Sequence, residues 1–155
     1  MSKRLGLLLI FALIAGAAVV FQAMRAPAAV SAQFEGEPQL IAATFSSEWC
    51  ASCRVLKPKL AEALPEFSGR PVRFVEYDFT FGARDDMRDE AEADGLGGIY
   101  ERFKGATGFT VLVDAGTGEI IDTLTMNHSA KAMAAAIEDA LAIAAARASV
   151  PHKDS

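Results

Sequence analysis

The chain has 155 residues, of which 52% are hydrophobic and 23% are charged. This length suits a single domain with a short appendage, and the composition is too apolar for a disordered chain. Two cysteines are too few for a disulfide-rich scaffold or an all-cysteine zinc site. A formal net charge of −5 argues against a general nucleic-acid surface.

The N-terminal segment differs in charge from everything that follows it. The first 32 residues hold Lys3, Arg4 and Arg25 and no acid, so the remainder carries −8 where the whole chain carries −5. An uncharged run over residues 5–21 follows the Lys3-Arg4 pair. We interpret residues 1–27 as a signal peptide or signal anchor, because a positive start before an apolar run is typical of both.

Two fates of this segment stay open. The run lies between a secretory h-region of about 7–15 residues and a spanning helix of about 17–25. Small residues before Ala32 allow cleavage there, whereas an uncleaved run spans once with Lys3 and Arg4 inside, and its length favours the anchor. A buried helix of the domain itself is disfavoured, since the run has no polar face. Either fate predicts the remainder on the periplasmic side of the bacterial inner membrane, anchored there or secreted to the periplasm.

The rest of the chain divides into a linker, one domain and a tail. We assign residues 28–38 to a linker, 39–148 to the domain and 149–155 to a loose tail. Apolar, β-branched and aromatic runs predict strands at residues 40–45, 72–77, 109–113 and 119–126. Helical spacing and caps predict helices at residues 53–67 with a kink at Pro58, at 85–93, at 99–104 and after Ser129.

This element order predicts the architecture. A β-α-β unit makes parallel neighbours with a right-handed crossover, and the final hairpin, turning at residues 114–118, adds antiparallel strands. We therefore expect an α/β domain with a mixed four-stranded sheet and flanking helices, preceded by the hydrophobic N-terminal helix. Gly95, Gly97 and Gly98 are expected to separate the second and third helices.

The chemistry is concentrated at Trp49-Cys50-Ala51-Ser52-Cys53. Cys50 is placed at the N-terminus of the first helix, where unpaired N–H groups and the helix dipole stabilise a thiolate. Cys53 lies one turn further on and can attack a mixed disulfide formed at Cys50. Because the motif follows the first strand, it lies at the carboxyl edge of the sheet, where open α/β sheets place their sites.

Three other interpretations of the cysteines compete with a redox pair. They are half of a zinc site completed by His128, His152 or acids, a structural disulfide of an exported protein, or an accidental pair. The zinc site lacks an adjacent ligand pair, and a four-residue ring restricts few unfolded states. A redox pair is favoured over all three.

The phrase FSSEWCASCRVLKPKL at residues 45–60 resembles the thioredoxin superfamily. The aromatic strand end, Glu48, Trp49, the cysteine pair, Arg54 and Pro58 occur there in the same order. The resemblance covers about residues 39–145 and implies a thioredoxin-like fold whose first strand and helix are missing or reduced.

The resemblance also implies roles for the motif. Cys50 is the attacking nucleophile, Cys53 is the resolving thiol, and the two form the redox disulfide. Trp49 is a hydrophobic flank beside the nucleophile, with core packing as the alternative for its ring. No cofactor and no metal are implied.

Two departures from the family affect substrate contacts and proton transfer. Family members carry a cis-proline that faces the disulfide, whereas here Phe109 falls at that place with Thr110 beside it, and we expect a trans bond. We assign Phe109 and Thr110 to substrate binding. Family members also carry a buried aspartate in the first strand, where this chain has Thr44; Asp78 is then the possible proton acceptor.

We therefore predict a thiol–disulfide oxidoreductase, with a non-enzymatic binding or metal-carrying module as the alternative. The expected partners are cysteine-containing exported proteins, an upstream thiol electron donor and, if residues 5–21 remain uncleaved, the membrane. Anchored relatives often act as reductants, so the resemblance implies reductase direction. The acidic segment at residues 82–97 is either a partner-docking helix or, as we favour, a solvated face.

Overall fold

The computed structural model describes residue 34 and residues 36–149. The predicted signal or anchor at residues 1–27, most of the linker and residues 150–155 lie outside the described residues. No helix within residues 36–149 is both long enough and apolar enough to cross a bilayer.

The described chain contains four strands and four α-helices. In chain order they are β1 (Leu40–Ser46), α1 (Ala51–Ala63), β2 (Val72–Asp78), α2 (Asp85–Ala93), α3 (Gly97–Phe103), β3 (Phe109–Asp114), β4 (Ile120–Thr125) and α4 (Ala130–Ala148). A 3₁₀ turn at Leu64–Phe67 follows α1. The four predicted strands and the order of elements are confirmed.

The strands form one mixed sheet in the order β2-β1-β3-β4. β1 is parallel to β2, with Ala43 opposite Val75, and antiparallel to β3, with Ala43 opposite Val111. β3 and β4 form the predicted hairpin, with Val111 opposite Thr123. The predicted mixed four-stranded sheet with flanking helices is therefore confirmed.

β1 is buried over its whole length and separates two hydrophobic layers. Because successive side chains of a strand point to opposite faces, Leu40 and Ala42 pack with α1 and α4, whereas Ala43 and Phe45 pack with α2 and α3. A strand covered on both faces reads as a continuous apolar run, which is how residues 40–45 read in the sequence.

Two helix boundaries differ from the prediction. α1 begins at Ala51 rather than at residue 53, because Cys50 is its N-cap, and it ends at Ala63, continuing through Pro58. α3 begins at Gly97, so Gly97 and Gly98 form its first turn instead of interrupting the chain before it. Helix starts tolerate glycine, since their N–H groups have no partners within the helix.

Candidate active site

The two cysteines lie where β1 gives way to α1. Cys50 has extended backbone angles, φ −83° and ψ 114°, and its Sγ accepts a hydrogen bond from the Cys53 N–H at 3.2 Å. The Ser52 Oγ lies 3.2 Å from the same sulfur. Cys50 is half-buried and Cys53 is buried, so only the first sulfur is open to a second molecule.

The surroundings separate the two thiols in acidity. Burial raises the pKa of Cys50, but hydrogen bonds from Cys53, Ser52 and Thr107 outweigh it and lower this pKa from 9.0 to about 7. Burial and the hydrogen bond to Cys50 raise the pKa of Cys53. Near neutral pH the pair therefore offers one thiolate and one protonated thiol.

Both cysteines are free thiols in this structure. The Cys50–Cys53 disulfide stays a prediction. Across the part of the chain that the structure describes, no group of three or more His, Cys, Asp or Glu side chains converges as a metal site requires.

The loop before β3 approaches Cys50 through Gly108. This glycine has φ +102°, and a Cβ built on it would lie 2.3 Å from the Ser52 Oγ and 3.4 Å from the Cys50 Sγ. Its N–H donates to the Phe45 carbonyl at 2.8 Å, which fixes the loop to the end of β1. All peptide bonds between described residues are trans, including the bond before Phe109, as expected.

The structure corrects the predicted substrate contacts in this loop. Thr110 is fully buried, and its hydroxyl lies 2.8 Å from that of Thr44, so it cannot meet a substrate. Phe109 is half-buried and stacks on Phe45 with ring centroids 5.2 Å apart. Both residues already belong to β3, and the loop that meets Cys50 is one or two residues earlier, at Thr107 and Gly108.

Thr107 and Ser52 are thus the site residues that sequence reasoning missed, whereas Gly108 was expected in the loop that faces the cysteines but was not assigned to the site. Their signal was present but weak: a glycine directly before a predicted strand offers close backbone approach. The strand was predicted to begin at residue 109, where it does begin, so the loop that meets Cys50 is displaced by one or two residues from the predicted contacts at Phe109 and Thr110.

Trp49 is exposed rather than packed in the core. Its side chain is 76% exposed, and its indole Nε1 donates to the Thr80 carbonyl at 3.2 Å. The Thr80 hydroxyl accepts from the Glu48 N–H at 2.9 Å and donates to the Asp78 carboxylate. Thr80, which follows β2, therefore ties down the segment that leads into Cys50.

Asp78 lines a pocket of about 350 Å³ whose walls also include Cys53 and Lys57. Burial raises the pKa of Asp78, but hydrogen bonds from Thr80 and the nearby charges of Lys57 and Arg84 outweigh it, so this pKa is lowered. Asp78 is thus a carboxylate at neutral pH.

A second acid lies close to the same pocket. Glu76 accepts from the Lys57 ammonium at 2.7 Å and from the Ser46 hydroxyl at 2.5 Å. Ser46 and Lys57 both line the pocket with Cys53. Hydrogen bonds therefore join Glu76, Lys57 and Ser46 beside the pocket that contains Cys53, so neither charged group is left without a partner.

Comparison with known proteins places this geometry in context. The family model described as Thioredoxin matches residues 26–95. Similar solved structures include mitochondrial thioredoxin 3 of Saccharomyces cerevisiae, with 22% identity, 66% of this chain and 80% of that chain covered, and a TM-score of 0.41. StoA of Bacillus subtilis has 16% identity, coverages of 66% and 84%, and a TM-score of 0.46.

A third similar structure is a thiol:disulfide interchange protein of the thioredoxin family from Chlorobium tepidum. It has 17% identity, coverages of 72% of this chain and 84% of that chain, and a TM-score of 0.47. No curated protein matches the chain.

Proposed function

We propose that the chain is a member of the thioredoxin superfamily, whose family model matches residues 26–95, and that it is a thiol–disulfide oxidoreductase that works through Cys50 and Cys53. One observation carries the proposal: Cys50 caps α1 with its Sγ facing the Cys53 N–H, and its pKa is lowered to about 7 while that of Cys53 is raised. A plain structural pair has no need of this difference in acidity.

The reaction follows from the two acidities. The Cys50 thiolate attacks one sulfur of a substrate disulfide; a Cys50–substrate disulfide forms, and the other substrate sulfur leaves as a thiolate. Cys53 then gives up its proton and attacks the Cys50 Sγ, so the Cys50–Cys53 disulfide forms and the second substrate thiolate leaves. Two electrons pass from the pair to the substrate, and a dithiol donor must return them.

The resolving step needs an acceptor for the Cys53 proton. We assign this role to Asp78, because it lines the same pocket as Cys53 and is ionised at neutral pH. Its lowered pKa makes it a weak base, so the proton passes on to solvent in the pocket rather than staying on Asp78.

We further propose that the substrates are cysteine-containing exported proteins and that the enzyme acts as a reductase at the periplasmic side of a bacterial inner membrane. The charged start and apolar run of residues 1–27 support this location. An upstream thiol donor supplies electrons, and residues 5–21 hold the domain at the membrane if they remain uncleaved.

The test uses a disulfide-bonded protein substrate with dithiothreitol as electron donor. We expect the wild type to accelerate its reduction and Cys50→Ser to abolish the acceleration. Reduced Cys53→Ser, mixed with the substrate in the absence of dithiothreitol, should accumulate a covalent Cys50–substrate adduct visible on a non-reducing gel. Acceleration that survives Cys50→Ser would contradict the proposal. The reduction potential of the pair, measured against a dithiothreitol couple, decides direction: a value close to that of glutathione or above it would count against a reductase.

A further inference from the structure

Two aromatic side chains stand out in solvent beside the redox pair. Trp49 and Phe81 are 76% and 84% exposed, the two most exposed large apolar side chains among the described residues. Trp49 directly precedes Cys50, and its indole bonds to the carbonyl of the residue directly before Phe81. A single exposed apolar side chain is ordinary, but two beside a nucleophile call for an explanation.

We propose that Trp49 and Phe81 form a docking surface, here called the aromatic ledge, for an apolar residue of a basic polypeptide segment that bears the reacting disulfide. The inference rests on the proposed function and names the class of segment that it serves. Phe81 supplies the part of the surface that the motif around the cysteines does not include.

The backbone under the aromatic ledge is fixed, so the exposure of Phe81 does not come from a loose loop. The Phe79 N–H donates to the Ser46 carbonyl at 2.8 Å, and the Gly82 N–H closes a turn on the Phe79 carbonyl at 3.0 Å. Phe79 is buried, and Thr80 is 9% exposed and anchored to Asp78. Phe81 is thus presented to solvent between two anchored neighbours, and little ordering entropy is lost when a partner covers it.

The charge beside the aromatic ledge selects the partner. α2 begins four residues after Phe81, and residues 84–94 contain six acids against two arginines. The side chains of Asp85 and Asp89 are 90% and 69% exposed. Their ion pairs with Arg88 are solvent-exposed and weak, so the net field stays negative and attracts lysine or arginine while it disfavours an anionic membrane surface.

The partner is therefore a polypeptide segment in which an apolar residue lies next to the cysteine. Basic residues flank this apolar residue and cysteine. The cysteine must reach the Cys50 Sγ, so its neighbour in the segment comes close to Trp49, which directly precedes Cys50, and to the turn that carries Phe81 and is bonded to the Trp49 indole. The same negative field rejects acidic segments, so the aromatic ledge sorts substrates by both apolar contact and charge.

The experiment measures release of nitrothiobenzoate from peptides that carry it as a mixed disulfide on their cysteine. The reduced wild type is mixed with a Lys-Leu-Cys-Leu-Lys peptide, a Lys-Ser-Cys-Ser-Lys peptide, a Glu-Leu-Cys-Leu-Glu peptide and the small cysteine adduct. Attack by the Cys50 thiolate joins the peptide sulfur to Cys50 and expels the coloured thiolate. Each peptide's rate constant is divided by that of the small adduct.

We expect the Lys-Leu peptide to react about five- to tenfold faster than the Lys-Ser peptide in the wild type, the size expected for covering part of two aromatic rings. Phe81→Ser should reduce this advantage to below about twofold, and its fold should be retained since the ring packs in no core. The matched control is Ile143→Ser, which removes another exposed apolar side chain, on α4, and should keep the wild-type ratio. The Lys-Leu peptide should also outrun the Glu-Leu peptide, by a factor that falls in high salt.

The outcomes separate this inference from the proposed function. Release no faster than from Cys50→Ser with every probe would overturn both. A wild type that reacts with the small adduct but treats all peptides alike, or a Phe81→Ser variant with the wild-type ratio, would overturn the aromatic ledge alone. Phe81-dependent sedimentation with phosphatidylglycerol vesicles, without any peptide preference, would assign the surface to a membrane and overturn the inference as well.

Discussion

At the scale of single residues, the contrast in acidity between the two cysteines depends mainly on burial and hydrogen bonds. Cys50 and Cys53 have the same covalent structure and lie one helical turn apart. Burial raises both pKa values. At Cys50 the hydrogen bonds from Cys53, Ser52 and Thr107 outweigh it, whereas at Cys53 the hydrogen bond donated to Cys50 adds to burial, and the two outweigh the hydrogen bonds from Ser47 and Thr107. A hydrogen bond to the charged form stabilises it, and one donated by the neutral form does the reverse.

The rate of alkylation of Cys50 should therefore rise through pH 7 rather than through pH 9. Iodoacetamide reacts with thiolates, so its rate constant follows the ionised fraction and should be half-maximal near the pKa of about 7. Ser52→Ala removes one donor to the sulfur and should move the midpoint to higher pH. The control is Ser68→Ala, which removes an exposed hydroxyl after the 3₁₀ turn. Coincident profiles for the three proteins would refute the role of Ser52.

Gly108 makes a second prediction at this scale. Gly108→Ala should lower stability and also disturb Cys50, because the new Cβ meets the Ser52 Oγ at 2.3 Å. Gly118→Ala is the matched control, since Gly118 also has a positive φ, +71°, but an added Cβ there meets nothing within 4 Å. Left-handed strain of roughly 1–2 kcal/mol should appear in urea unfolding of both variants. Only Gly108→Ala should shift the alkylation profile of Cys50; equal profiles would show that the loop does not press on the site.

At the scale of elements, the segment before α1 is held by the segment after β2. Thr80 joins the Glu48 N–H, the Trp49 indole and the Asp78 carboxylate. These hydrogen bonds join the carboxyl ends of two parallel strands, β1 and β2. The segment that leads from β1 into α1 is therefore held by residues that follow β2, not by α1 itself. The orientation of Trp49 thus depends on a residue 31 positions later in the chain.

Thr80→Val should weaken this tie, whereas Thr80→Ser should preserve it. The loss of the hydroxyl leaves the Glu48 N–H and the Asp78 carboxylate short of a partner, at a cost of about 1–3 kcal/mol in free energy of unfolding. The lowered pKa of Asp78 means that the unfolded chain binds a proton more readily, so this stabilisation is present above pH 3.8 and disappears as the pH falls through the folded pKa. Urea unfolding at pH 6 and pH 3 measures both effects.

The gap between Thr80→Val and Thr80→Ser should be larger at pH 6 than at pH 3. A gap that is independent of pH would mean that Asp78 takes no part in the tie. Equal stability of the two variants at both pH values would mean that the hydroxyl contributes nothing at this position.

The elements were predictable because most of them carry strong local signals. β1 and β3 are buried on both faces and appear in the sequence as short apolar runs, so their positions followed from pattern alone. The start of α1 was harder, since its first residues, Ala51 and Ser52, have no apolar period and the cap is a cysteine. In the sequence, Gly97 and Gly98 look like an interruption between helices, but they are the first two residues of α3. Glycine is tolerated there because the first N–H groups of a helix have no partner within it.

The site was predictable only where chemistry is contiguous in sequence. Trp49, Cys50 and Cys53 lie within five consecutive residues, so the motif in the sequence identified them. Thr107 and Gly108 reach the sulfur only through the pairing of β1 with β3, and whether Phe81 is buried or exposed depends on a turn between β2 and α2. Register and exposure are tertiary properties, and a single residue of register decides which side chain meets the site.

At the scale of the whole molecule, the charge split between the first 32 residues and the rest motivates a prediction on location. A reporter that is active only after export, fused after Ala32, should be active, because a positive start and an uncharged run of this length direct a chain across the membrane. Replacing Leu9 and Ile10 with arginine should abolish the activity, because charges in the apolar run disfavour its insertion. Activity only of a reporter that requires the cytoplasm would contradict the prediction.

The position of β1 in the sheet determines which parts of the molecule open first in local unfolding. β1 is paired on both sides and buried on both faces, whereas β2 and β4 each lie at an edge of the described sheet. Amide hydrogens exchange with solvent last where opening requires the most surrounding structure to separate, so those of β1 should persist longest in deuterated water. The redox pair is attached to the end of this slowest strand. Transient local unfolding of α2 or β4 therefore leaves Cys50 supported. Proteolysis or mild heating should unfold these outer elements before the reactivity of the Cys50 thiol is lost.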